Sequence, residues 1–273
     1  MNKTILTACF FLYSHLLCAR PNLINGLPAG NMFPSVGMIN NQCTITKIGP
    51  RQFITAAHCI SRPMKTFGFT NFQNSVTLKV KSGFSHPSWI KDCTAKRCDG
   101  TEVGSSRMTP GRSDVYFITV ENDSPTIAIT QINFKAIDIG TEVAMVGAGC
   151  TRQVEPGGRA KMRYGITKLV SADHLNHTHS LYKDIAEISG KSNWVTVGYR
   201  FDKSAMSLCP GDSGGPLMTK NTQGIWEIIG IAADYTFDGK YRDGDESVTN
   251  LHTRLDDQSL SNVGAWIRSN WDQ

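Results

Sequence analysis

The sequence predicts an all-β fold, and three observations carry that prediction. Short runs rich in β-branched and aromatic residues recur between clusters of Gly, Pro, Asn and Asp: Val36–Ile39, Gln52–Thr55, Val76–Val80, Val115–Val120, Thr141–Val146, Trp194–Tyr199, Pro216–Thr219 and Trp226–Ala232. One segment, Ser259–Asn270, is clearly helical in period, with Leu260, Val263, Trp266 and Ile267 forming an apolar face. The β-α-β alternation of a parallel sheet is missing, as are repeats, low-complexity stretches and any Pro/Ser-rich linker. Such spacing belongs to a sandwich or barrel.

The chain opens with Met1-Asn2-Lys3 and an apolar run from Thr4 to Tyr13, followed by Leu17-Cys18-Ala19 as a cleavage site. Residues 1–19 therefore read as an export signal. Ser14 and His15 interrupt an apolar run shorter than the roughly 20 residues of a membrane span, and no later segment could cross a bilayer. About 250 residues remain after signal removal, a usual size for one all-β enzyme. Loss of Lys3 lowers the net charge from +5 to +4, and no basic block or basic-aromatic stripe speaks for nucleic acid.

Eight cysteines become six once Cys9 and Cys18 leave with the signal, an even number that argues for disulfides in an exported chain. Cys43, Cys59, Cys93, Cys98, Cys150 and Cys209 permit fifteen pairings. No C-x-x-C pair supports a metal site instead.

Pro210-Gly211-Asp212-Ser213-Gly214-Gly215-Pro216 sets a serine among glycines, which free main-chain N–H groups for a developing oxyanion. A serine nucleophile needs a histidine base held by a carboxylate. Upstream, Thr55-Ala56-Ala57-His58-Cys59 supplies a histidine, and Ser113-Asp114-Val115 sets an acid at the start of a strand-like run. Gly211-Asp212-Ser213-Gly214-Gly215 also satisfies the G-x-S-x-G elbow of α/β-hydrolases, in which Asp234 or Asp238 with His252 would complete the triad. Against that reading, the residues after Pro216 lead into a strand and not a helix.

The three ordered motifs T-A-A-H-C, S-D-V and G-D-S-G-G-P resemble those of the chymotrypsin/trypsin-like serine protease family, over about Leu23 to Trp271. The resemblance implies two perpendicular antiparallel six-stranded β-barrels with a C-terminal helix packed on the second barrel. The barrels would span about 27–125 and 136–258, joined near 122–138, with the site in the crevice between them and the helix at about 259–271. It implies a serine endopeptidase with His58, Asp114 and Ser213 as the triad and the N–H groups of Gly211 and Ser213 as the oxyanion hole. It selects the pair Cys43–Cys59. Cys93 and Cys98 then form a local staple in the long insertion before Asp114, which leaves Cys150 with Cys209. The expected partners are a protein or peptide substrate and protein inhibitors, with no nucleic acid, no cofactor, no metal and no membrane after signal removal. The expected state is a secreted monomer.

Leu23-Ile24-Asn25-Gly26 resembles the family's activation terminus, whose freed ammonium pairs with the carboxylate before the nucleophile, here Asp212. Residues 20–22 are then a short propeptide, although Arg20-Pro21-Asn22 offers no trypsin cut before Leu23. By the same resemblance, Ser207 lies at the floor of the primary specificity pocket, and Tyr235 and Asn250 stand where wall glycines keep it open. A floor without Asp excludes Lys/Arg preference and leans to a small or uncharged residue before the scissile bond. These departures leave open a second class of function, a protease homologue that binds a partner without turnover. His174, His177 and His179, and the acidic stretch Asp238–Glu246, read as solvated loops rather than metal sites. Asn122-Asp123-Ser124 and Asn176-His177-Thr178 match glycosylation acceptors.

Overall fold

The computed structural model describes residues 23, 25–89, 113–149, 154–155, 159–174, 190–199, 206–237 and 247–271. The signal and propeptide segments, Cys93, Cys98, Cys150, Asn176, His177, His179 and the stretch Asp238–Glu246 lie outside the described residues.

Among the described residues there are fifteen strands, twelve of which build two closed antiparallel six-stranded barrels. After β1 (Leu27–Pro28) come β2 (Val36–Ile39), β3 (Cys43–Lys47), β4 (Gln52–Thr55), β5 (Thr66–Thr70), β6 (Ser75–Ser85) and β7 (Tyr116–Val120), and β2 to β7 close the first barrel in the order β2-β3-β4-β7-β6-β5. The second barrel uses β8 (Glu142–Gly147), β11 (Arg163–Val170), β12 (Asn193–Tyr199), β13 (Pro216–Lys220), β14 (Trp226–Phe237) and β15 (Ser247–Arg254), closed by the pairing of β8 with β11. β9 (Val154–Glu155) and β10 (Arg159–Ala160) pair as a separate two-stranded antiparallel ribbon, and β1 pairs with β11. Among the described residues, no helix is long and apolar enough to cross a membrane.

Alternating side chains fill each barrel. Phe53, Phe67 and Phe69 pack edge to face inside the first, with ring centroids 5.5 and 6.0 Å from Phe53. Val143, Met145, Leu169, Trp194, Leu217 and Ile229 fill the second. A third cluster joins Val36, Met38, Ile54 and Phe117 of the first barrel to Ala144, Val146, Met218 and Ile231 of the second. This shared apolar seam fixes the two barrels against one another, so that loops from both meet at one place.

The terminal helix is shorter than the expected 259–271. α1 runs only over Val263–Ser269, because the Ser259 hydroxyl accepts the Val263 amide at 3.0 Å and Asn262 turns left-handed at φ 52°. Leu260 stands outside the helix and is 47% exposed, while Val263 and Ile267 are buried. The helix end also packs against the first barrel: Trp266 meets Phe84 and Phe117, and Trp271 meets Phe117. Gln52 of β4 donates to the Trp271 carbonyl at 2.8 Å.

Lys47 at the end of β3 is fully buried, which a lysine tolerates only with its ammonium satisfied. Nζ donates to Asp123 Oδ1 at 2.9 Å, the Ser124 carbonyl at 2.7 Å and the Ile127 carbonyl at 3.3 Å. One side chain thereby pins the start of the inter-barrel connection to the first barrel.

Candidate active site

His58 sits on a single 3-10 turn, Ala57–Cys59, that follows β4 directly. Cys59 is bonded to Cys43 at the start of β3, which ties this turn to its neighbouring strand. Asp114 lies two residues before β7, the strand paired with β4, so the sheet register carries the acid to the histidine. Its carboxylate is buried and held at both oxygens: Oδ1 accepts the His58 main-chain N–H at 2.9 Å, and Oδ2 lies 2.5 Å from His58 Nδ1. Two contacts to one residue fix both the placement of the turn and the plane of the ring. Nε2 is left as the ring's acceptor on the outer side.

Ser88 steadies the acid from behind. Its hydroxyl accepts the Ser113 amide at 3.0 Å and bonds His86 Nδ1 at 2.8 Å. The His86 ring meets Trp266 of α1 at 4.9 Å. Burial lowers the His86 pKa to about 4, against a hydrogen bond to the Ser261 backbone that raises it, so this imidazole is neutral at physiological pH.

The serine loop comes from the second barrel. Gly211 has φ +103° and Gly214 φ +81°, both left-handed-side conformations that favour glycine. At Gly214 a Cβ would also lie 2.1 Å from the Thr55 hydroxyl and 2.3 Å from the Thr44 carbonyl. The loop closes on itself through Asp212 N–H to Cys209 O (3.0 Å) and Gly215 N–H to Asp212 O (2.8 Å). The Ser213 carbonyl accepts the Thr44 amide at 2.8 Å, which sets the serine beside the Cys43–Cys59 disulfide and the histidine turn. Among the described residues, the N–H groups of Gly211 and Ser213 donate to no protein acceptor, and no hydrogen bond closes His58 Nε2 onto Ser213 Oγ. The latter contact is one that often tightens only with substrate bound.

Asp212 is fully buried, with Oδ1 accepting the Gly149 amide at 2.7 Å and Oδ2 the Cys209 amide at 3.0 Å. Burial pushes its pKa up to about 7, against these two amides that pull it down, and no cation among the described residues pairs with it. Leu23 is also fully buried, packed in the cluster that holds Met206 and Leu208 on the approach to Asp212.

The residues expected at the specificity pocket lie close together, with Tyr235 opposite Asn250 in the β14–β15 register. Asn250 Oδ1 accepts the Leu208 amide at 2.8 Å, and Nδ2 donates to the Thr196 hydroxyl at 3.3 Å, which in turn contacts His252 Nε2 at 3.3 Å. Ser207 is fully buried, and its hydroxyl has no partner among the described residues. Tyr235 lines the remaining hollow with Leu208, Cys209, Ser213, Ala232, Ala233 and Asp234, a space of only about 10 Å³. That is room for about one water molecule.

The α/β-hydrolase alternative fails on this geometry. The fold is all-β, Pro216 opens a strand, and His252 is buried inside the second barrel on Thr196, with its pKa lowered to about 3 by burial. It cannot serve Ser213 as a base. Cys43, His58 and Cys59 cluster closely enough to suggest a metal, but both sulfurs are committed to the disulfide. Cys209 is likewise disulfide-bonded, with a partner outside the described residues. Sequence reading missed Thr44 and Thr55, because a threonine inside a strand carries no signal of the loop it will meet.

A family model described as Trypsin matches residues 28–250. The chain is 25% identical over 219 residues to phenoloxidase-activating enzyme 1 of Spodoptera litura, covering 72% of this chain and 53% of that protein. It is 22% identical over 258 residues to transmembrane protease serine 11G of Rattus norvegicus, covering 90% of this chain and 55% of that protein. The chain thus spans about half the length of these two relatives. Human heparin binding protein superposes with a TM-score of 0.56 at 16% identity, over 92% of this chain and 97% of that one. An atomic-resolution structure of HBP gives the same score at 15%. At such identities the structural likeness concerns the fold alone.

Proposed function

Because the chain belongs to the trypsin family, we propose that it is a secreted serine endopeptidase acting through Ser213, His58 and Asp114. The observation that carries this reading is the doubly held Asp114–His58 pair set against a loop whose Gly211 and Ser213 amides have no acceptor among the described residues. Ser213 Oγ attacks the scissile carbonyl while His58 Nε2 takes its proton, and Asp114 holds Nδ1–H and offsets the imidazolium charge. The two amides receive the oxyanion. Collapse expels the amine, protonated by His58, and water then hydrolyses the acyl-enzyme by the same steps.

Activation is part of the proposal. In the unprocessed chain Asp212 is a buried carboxyl with no paired cation among the described residues, and burial holds its pKa up at about 7. Removal of residues 1–22 frees the Leu23 ammonium, whose side chain is already buried beside the segment leading to Asp212. Pairing of the two would order the loop. The Cys150–Cys209 bridge, if closed as the family pattern implies, stiffens the same loop from its other side, and Cys93–Cys98 staples the insertion before Asp114.

Primary specificity follows from what fills the pocket. Asn250 is anchored to the Leu208 amide and Tyr235 lines the remaining hollow, so the substrate residue before the scissile bond is small and uncharged. The same filling favours a second reading, a homologue that binds through the cleft without turnover. A peptide library digested by the mature secreted protein and by Ser213→Ala separates them. Cleavage after small residues, lost in the variant, is expected; strong Lys/Arg preference overturns the pocket argument, and no Ser213-dependent cleavage by protein starting at Leu23 overturns the enzyme reading.

A further inference from the structure

We propose that Thr44, on β3 of the first barrel, is a positioning residue that anchors the Gly211–Asp212 peptide, the plane that lies between the two carrying the oxyanion amides of Gly211 and Ser213, and so sets the spacing and direction of those amides. This inference rests on the reading of Gly211 and Ser213 as the oxyanion hole. Three successive peptide planes run through the loop. The Asp212–Ser213 plane is held at its carbonyl end by Gly215 N–H, which leaves Ser213 N–H free at the other. The Ser213–Gly214 plane is held at both ends, its carbonyl by the Thr44 amide at 2.8 Å and its N–H by the Ala232 carbonyl at 2.8 Å. The Gly211–Asp212 plane is held at its N–H by Cys209 O and at its carbonyl by the Thr44 hydroxyl at 3.0 Å.

That hydroxyl is the sole partner of the Gly211 carbonyl among the described residues. Gly211 sits at φ +103° and has no side chain, so within the loop its ψ torsion is restrained only by the Asp212 N–H bond to Cys209 O. The orientation of its carbonyl is thus set by one bond from within the loop and one from outside it, the Thr44 hydroxyl. Thr44 can supply one direction only, because the Ala148 amide donates to its oxygen at 3.3 Å and commits its single proton to Gly211. Ala148 precedes Gly149, whose amide holds Asp212, so the same hydroxyl touches both strands of support for the loop. Thr44 is fully buried, and its own carbonyl accepts the Thr55 hydroxyl at 2.7 Å, three residues before His58. The residue thereby joins the histidine arm to the oxyanion arm across the barrel boundary.

Misaimed donors lose stabilisation of the transition state more than binding of the ground state. The test compares mature wild type, Thr44→Val, Thr44→Ala and Thr44→Ser, on the peptide substrate found in the library and on a peptide aldehyde whose hemiacetal oxygen occupies the oxyanion position. For Thr44→Val, kcat is expected to fall by roughly 10- to 100-fold with KM within about twofold, and aldehyde affinity to fall in parallel. Thr44→Ser keeps the hydroxyl and is expected within about threefold of wild type, and Thr44→Ala reports the same loss should the valine variant fail to fold. An unchanged kcat in Thr44→Val, a serine variant as impaired as valine, or a loss confined to KM overturns the role. An inactive wild type instead removes the oxyanion-hole reading on which it stands.

Discussion

At the scale of single residues, three buried titratable groups pull stability in opposite directions with pH. His86 and His252 are neutral in the fold, with pKa values lowered by burial to about 4 and about 3 from an ordinary 6.5. As pH falls through 6.5 the unfolded chain takes up their protons first, so stability is lost from about pH 6.5 down to 4 and below. Asp212 acts in reverse. Burial raises its pKa to about 7 from 3.8, the folded chain keeps the proton longer, and stability is lost as pH rises from about 3.8 to 7. In the unprocessed chain, Asp212→Asn is therefore expected to be more stable than wild type at pH 8, by several kcal/mol, and nearly equal to it at pH 4. Urea unfolding at the two pH values checks this. Equal stabilities at pH 8 would mean that Asp212 already has a counter-charge before processing.

At the scale of elements, the connection between the barrels hangs on Lys47. Lys47→Met keeps the length of the side chain but leaves the Ser124 and Ile127 carbonyls without their donor, an expected loss of about 2–4 kcal/mol. Asp123 is half exposed, so Asp123→Asn is expected to cost less than about 1 kcal/mol. Thermal unfolding of the two variants separates a clamp on the backbone from a surface ion pair, and equal shifts contradict the clamp. The same contrast explains which elements were legible. Val36–Ile39 and Gln52–Thr55 read to the residue because Gly, Pro, Asn or Arg bracket apolar runs. β3, β11 and β15 were not read: Thr44, Thr46 and Lys47, or Thr249, Asn250, His252 and Thr253, are buried by tertiary packing and hydrogen bonds that no local pattern announces. The terminal helix was read one turn too long, since its period continues through residues that Ser259 and Asn262 hold in a turn.

At the scale of the whole molecule, the site exists because an apolar seam locks two barrels together and brings β3, the histidine turn and the serine loop to one junction. The three motifs lie far apart in sequence, and their order made the chemistry legible; their approach depends on register and on Thr44, which is why the support was not. The proposal that this junction performs acyl transfer is tested most directly by intact-mass and peptide analysis of the mature protein after treatment with a fluorophosphonate. One phosphonyl adduct on the peptide containing Ser213, absent in Ser213→Ala and in the chain that still carries residues 20–22, is the expected result. Mature protein beginning at Leu23 that takes up no label at Ser213 would contradict it.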